Sequence, residues 1–100
     1  SNKALLEKIS VYLLDRGIRP NIKGFKYLRR AIELTIKNKC EAIPVTTAMY
    51  PKLATEFSDT KSKIERSIRH AIMTSNVKGQ TNSEFIARAS LDICIKKIEV

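Results

Sequence analysis

Tryptophan does not occur in this sequence, and three tyrosines and three phenylalanines are its whole aromatic content. That leaves little for the stacking platform on which proteins read single strands or RNA, and duplex DNA fits better as a nucleic-acid partner. Histidine occurs once and glycine three times, with no glycine-rich phosphate loop. The ten carboxylates are scattered over polar positions, so no nucleophile, acid–base pair or metal set assembles, and the chain reads as a non-enzyme without cofactor or metal. Cys40 and Cys94 lack a metal-type spacing, and one histidine cannot complete a zinc set with them. They read as two reduced thiols with no part in function. Apolar runs span only a few residues, with no greasy leader, so the reading is a cytoplasmic chain with no membrane partner. Acidic residues are outnumbered: 19 Lys and Arg face ten Asp and Glu, a net charge of +9 spread through the chain and not held in a tail. A polyanionic partner is implied. With 43% hydrophobic residues, positions 1–100 read as a single domain with one core.

What is present centres on SDTKSKIERSIRHAIMTS, Ser58 to Ser75. On a helical period Ile64, Ile68, Ala71 and Ile72 fall together as a core-facing stripe. Ser62, Arg66, Arg69 and Met73 project from the opposite side, with Lys63 and His70 along one edge and Glu65 along the other. Ser58, Asp59 and Thr60 offer side-chain oxygens to the unpaired N–H groups of the first turn, so the helix should begin there, its positive end suited to a phosphate. A cationic face can also be a solvated one, and Glu65 with Arg69 is an ordinary i, i+4 pair. His70 reads as a phosphate or base contact, or as a surface histidine.

The rest of the chain is organised as helices around this one. Leu5, Leu6, Ile9, Tyr12 and Leu13 predict a helix over about Lys3 to Arg16, closed by Gly17 and kept closed by Pro20. In the turn that follows, Ile18 and Ile22 should tuck onto the core, with Arg19 and Lys23 outside. Phe25, Leu28, Ile32 and Ile36 predict a second helix to about Asn38. After the connection Lys39 to Pro44, with Thr46 and Thr47 as candidate caps, Met49, Leu53 and Phe57 predict a third over Thr47 to Phe57, Pro51 near its start. A short polar turn then separates this helix from the basic one. That is the spacing of a helix-turn-helix over about residues 47–75, with a recognition helix at about 60–75. Thr81 and Glu84 fit a capping box opening a last helix to about Lys97. Phe85, Ile86, Ala89 and Ile93 make one apolar line on it, and Leu91, Ile95 and Ile98 a second. No strand pattern or repeat is visible, so the predicted fold is all-α, a compact bundle of about five helices containing a helix-turn-helix.

SKIERSIRHAI at Ser62 to Ile72 resembles the recognition helix of the stage 0 sporulation protein A family, the response regulators that start endospore formation. NIKGFKYLRRAI at Asn21 to Ile32, MYPKLATEF at Met49 to Phe57 and TNSEFIA at Thr81 to Ala87 resemble that family's effector domain in the same order. The resemblance implies an all-helical effector domain that regulates transcription by binding double-stranded DNA at a box like TGTCGAA. It further implies contact with RNA polymerase and a homodimer on tandem DNA sites. The family's base-reading positions fall on Lys63, Glu65 and Arg66, and Arg69 and His70 match positions that serve the backbone. With Ser62, these six are the candidate DNA-binding residues. Their chemistry suits base reading, because a cation donates to guanine O6 and N7 and a glutamate accepts from cytosine N4.

Two departures stand out. The family usually carries arginine where this chain has Lys63, and lysine lacks the rigid fork. The family's connection between recognition helix and final helix is longer than Asn76 to Gln80, and no phosphoacceptor receiver lies within these residues. They keep a second reading open, a helical protein-interaction module of the same fold that has lost specific DNA reading.

Overall fold

Each apolar stripe becomes one side of a helix in a computed structural model that describes residues 2–98, with side chains through Lys96. The elements run α1 (Asn2–Asp15), α2 (Lys23–Lys37), a single π-helical turn (Val45–Met49), α3 (Tyr50–Phe57), α4 (Lys61–Met73) and α5 (Asn82–Ile98). Among the described residues there is no strand, and the fold is all-α. No helix there is long and apolar enough to cross a membrane.

Helix α2 is the centre of the bundle. It is buried at Phe25, Tyr27, Leu28, Ala31, Ile32, Thr35 and Ile36, so its apolar arc is wide enough to meet helices on several sides. One core takes in Ile9 and Leu13 from α1, Leu53 from α3, Ile64, Ile68 and Ile72 from α4, and Phe85, Ile86, Ala89 and Ile93 from α5. Leu5 and Leu6 are only half-buried. Gly17 closes α1 with a left-handed φ of 79°, and Ile18 is buried behind it while Arg19 and Lys23 stay exposed.

Polar groups fasten the outer layer. The Arg30 guanidinium forks onto Glu56 with Nε–Oε1 and Nη2–Oε2 both at 2.8 Å, joining α2 to α3. That guanidinium brings the Glu56 carboxyl down to about 2. The Tyr12 hydroxyl donates to Asp92 at 2.7 Å, joining α1 to α5.

The third helix differs from its predicted form. The polypeptide leaves Pro44 in the π turn, Ala48 N–H and Met49 N–H both returning to the Pro44 carbonyl, and becomes α-helical at Tyr50. Pro51 occupies the first turn of α3, directly after the π turn, a position that suits its fixed φ. Thr46 and Thr47 lie inside the π turn, which Pro44 precedes without a side-chain cap, so they do not cap the helix. On α5 the line Phe85, Ile86, Ala89, Ile93 is buried, whereas Leu91 and Ile95 stand exposed. The Ile98 side chain, assigned to that second line, lies outside the described residues.

The cysteines require a larger correction. Cys40 and Cys94 are joined in a disulfide, their Cα atoms 6.5 Å apart across 54 residues of sequence. Linear spacing argues only about local motifs. Here the end of α2 and the last third of α5 are brought side by side by the core, and the two thiols meet there.

Candidate nucleic-acid interface

Helix α4 begins where the polar turn satisfies its first N–H groups. Thr60 Oγ1 accepts from the Lys63 N–H at 3.1 Å, so Thr60 is the cap. Ser58 instead ends α3 in a left-handed conformation, φ 51°. Asp59 is committed elsewhere: the Tyr27 hydroxyl donates to Oδ2 at 2.6 Å and the Thr60 N–H to Oδ1 at 2.8 Å. Tyr27 first, then that N–H, holds the Asp59 carboxyl below the usual carboxylate range. The turn of the helix-turn-helix is thereby tied to α2.

With Ile64, Ile68, Ala71 and Ile72 buried, the opposite face of α4 must carry the remaining side chains. Ser62, Lys63, Arg66, Arg69 and His70 are exposed, as is Met73, and Glu65 is half-buried. The candidates do not form one cluster. Arg66 and His70 open into a shallow groove of about 350 Å³ between α4 and the start of α2. Glu65 and Arg69 line a second groove of about 560 Å³ on the other side, against the start of α5. They are forked together there, Arg69 Nε–Glu65 Oε2 at 3.0 Å and Nη2–Oε1 at 3.3 Å, and the glutamate pushes the arginine pKa up. Ser62 and Lys63 line neither groove and stand at the N-terminal end of the ridge between them.

Two residues that set the position of α4 were not singled out in the sequence. Asn82, buried at the start of α5, donates through Nδ2 to the Glu65 backbone carbonyl at 3.1 Å and to the Tyr50 hydroxyl at 3.0 Å. One amide thus links α3, α4 and α5 behind a candidate base-reading residue. Thr81 and Glu84 fix the turn that delivers it, through reciprocal bonds of 3.1 and 2.9 Å that close the predicted capping box.

Gly24 sets the approach of α2. A Cβ added there would meet the Ser67 carbonyl oxygen and lie 2.6 Å from the Ala71 Cβ. The obstacle is α4's own backbone, which cannot swing aside as a long side chain can. Alanine would gain roughly 0.5–1 kcal/mol of helix propensity, but overpacking against fixed atoms costs roughly 1–3 kcal/mol. Gly24→Ala should therefore be net destabilising in urea titration. A stability equal to wild type would show that the helices part without cost.

Among the described residues no three of His, Cys, Asp and Glu gather where a metal ion could be held. The exposed side chains of α4 offer N–H donors, from Lys63, Arg66, Arg69 and His70, and Glu65 beside them a carboxylate acceptor. A family model described as sporulation initiation factor Spo0A C terminal matches residues 9–89. The match begins within α1 and takes in α2, the helix-turn-helix and the first half of α5.

Proposed function

The chain belongs to the sporulation initiation factor Spo0A C-terminal family, a family of all-helical DNA-binding domains of sporulation transcription regulators, and from that premise we propose that it binds duplex DNA sequence-specifically with α4 in the major groove. The observation that carries this reading is the exposed ridge of α4, cationic and flanked by a groove on each side. A helix about 10–12 Å across with side chains fits a major groove about 12 Å wide.

In this reading Lys63, Glu65 and Arg66 meet base edges in the first turns of α4, and Ser62, Arg69 and His70 meet phosphates. Arg66 has no carboxylate at ion-pair distance among the described residues, so its fork is free for guanine O6 and N7. Glu65 is engaged by Arg69, and contact with a cytosine amine requires it to share or release that partner. Lys63 is a point charge where the family carries arginine, and preference at its base pair should be looser. The 100 residues act as one effector unit, with a second copy on a tandem site and RNA polymerase as the partners of the bound state. The Glu65–Arg69 fork also favours a second reading, a protein-interaction module, because it neutralises two of the six candidates.

Titrating box-containing and scrambled duplexes at two salt concentrations separates the two. Arg66→Ala should lose roughly 1–3 kcal/mol on the box and less on the scrambled duplex. Equal loss on both would reduce Arg66 to a phosphate contact, and wild-type protein with no preference for the box would favour the interaction module.

A further inference from the structure

Among the described residues only a minority of the Lys and Arg side chains are ion-paired. Arg16, Arg30, Lys37, Lys52, Arg69 and Arg88 each lie within 4.0 Å of a carboxylate. The remaining described Lys and Arg have no such partner, and two of them, Lys23 and Arg66, line one groove with His70, with Ile22, Gly24 and Ser67 as its remaining walls. Asp59 is the carboxylate whose field Lys23 and Lys63 reach, but its oxygens already accept from Tyr27 and Thr60. Asp59 therefore offsets the charge of Lys23 only from a distance, and holding Lys23 and Arg66 in one groove stays unfavourable until an anion enters. The groove also keeps its shape, because Gly24 sits directly against the Ser67 backbone and fixes how near α2 comes to α4.

We propose that Lys23 of α2, with Arg66 and His70 of α4, holds one backbone phosphate of the duplex, a contact made from outside the helix-turn-helix. The inference rests on the reading of α4 as the groove-entering helix. It adds to it a second element on the DNA. Lys23 supplies a point charge and three donors, His70 a ring N–H, and Arg66 can divide its five donors between the phosphate and a base. Since α2 also forms the centre of the core, a phosphate held there fixes the whole bundle against the duplex and not α4 alone. Ile22 offers the first turn of α2 no side-chain cap, so its N–H groups add to the same positive field.

The test is a duplex titration from about 50 to about 200 mM salt with wild type, Lys23→Gln, Lys23→Arg and Lys96→Gln, the last from the separate groove between α1 and α5. Lys23 is exposed, so all four should share one thermal midpoint. Lys23→Gln should weaken box and scrambled duplexes alike, roughly three- to tenfold at the lower salt, and flatten the salt slope by about one. Lys23→Arg should keep the slope, and Lys96→Gln should match wild type. A box duplex with single methylphosphonate substitutions then locates the contact: at one position neutralisation should weaken wild type and leave Lys23→Gln unaffected. If Lys23→Gln keeps the wild-type affinity and slope while wild type prefers the box, the phosphate site is wrong and the reading of α4 stands. If every neutralisation weakens both proteins equally, Lys23 acts only through the general field and the site is overturned. If wild type binds neither duplex, the reading of α4 and the site fall together.

Discussion

Ile68→Ala should lower the free energy of unfolding by roughly 2–5 kcal/mol, the range for removing a fully buried aliphatic side chain without collapse of its surroundings. Ile68 has no exposed surface and stands in the middle of the α4 stripe, between Ile64 and Ile72, where α4 meets α2. Collapse into the space is hindered from the α2 side, because Gly24 already holds the two helices at backbone contact one residue away, at Ser67. The loss should therefore fall in the upper half of that range. Domains of this size keep only about 5–15 kcal/mol in reserve, so the variant should be partly unfolded well below the wild-type transition. Met73→Ala, on the exposed side of the same helix, should change stability by less than about 0.5 kcal/mol. Urea titration of the pair checks the rotation of α4 directly. If Met73→Ala proves the more damaging, the stripe faces the wrong way and Arg66 and Arg69 point into the core.

The rotation of α4 was legible because isoleucine recurs at four-residue intervals and leaves one arc free of charge. The same periodicity exposed α1, α2 and α5 within a few residues of their ends. Local polar chemistry was legible where a short side chain can bond only its own turn: Thr81 with Glu84 was readable as a pair, and Glu65 with Arg69 as neighbours. It was ambiguous where three capping types stand in a row. Ser58, Asp59 and Thr60 are equivalent in sequence, and what separates them is a tyrosine 32 residues away that takes the aspartate. The π turn left no signal, since it differs from an ordinary turn only in which carbonyl the Ala48 and Met49 N–H groups reach.

Gly24, Asn82 and the Lys23 groove belong to a further class. Their roles exist only where two helices cross: a missing Cβ matters at Gly24 because Ser67 lies against it, and Asn82 matters because its amide reaches the Glu65 carbonyl. Lys23 is one of 19 basic residues in the sequence, and only the fold shows that it shares a groove with Arg66 and His70. The candidate site was therefore legible as a set of residues along one helix. That Arg66 shares the His70 edge with Lys23 of α2, while Lys63 lines neither groove, was not.

Reduction of the Cys40–Cys94 bond should lower stability by roughly 2–4 kcal/mol without changing which duplex the protein prefers. The bond closes a loop that contains the π turn, α3, α4 and most of α5, so in the unfolded chain it restrains the helix-turn-helix itself. Loop-closure entropy for a loop of this length gives about 4 kcal/mol, and the net effect should be smaller. The reason lies at Lys39 and Cys40, which take left-handed φ values of 57° and 62° without being glycine. Such a backbone costs roughly 1 kcal/mol or more per residue and persists only where its surroundings hold it. Part of that cost is released when the bond opens, because Asn38 to Glu41 can then relax while the Asn38 N–H bonds to Leu34 and Thr35 still close α2. Duplex preference should survive, since Cys40 lies past the C-terminal end of α2 and the Lys23 groove at its other end, about 20 Å along the helix axis. Urea titrations with and without a phosphine reductant, on wild type and on Cys40→Ser, check this. Wild type should lose stability on reduction and Cys40→Ser should be indifferent to the reductant. An unchanged wild-type midpoint would mean that the left-handed turn costs as much as the loop closure returns, and a loss of box preference would mean that strain at Cys40 reaches α4 through the length of α2.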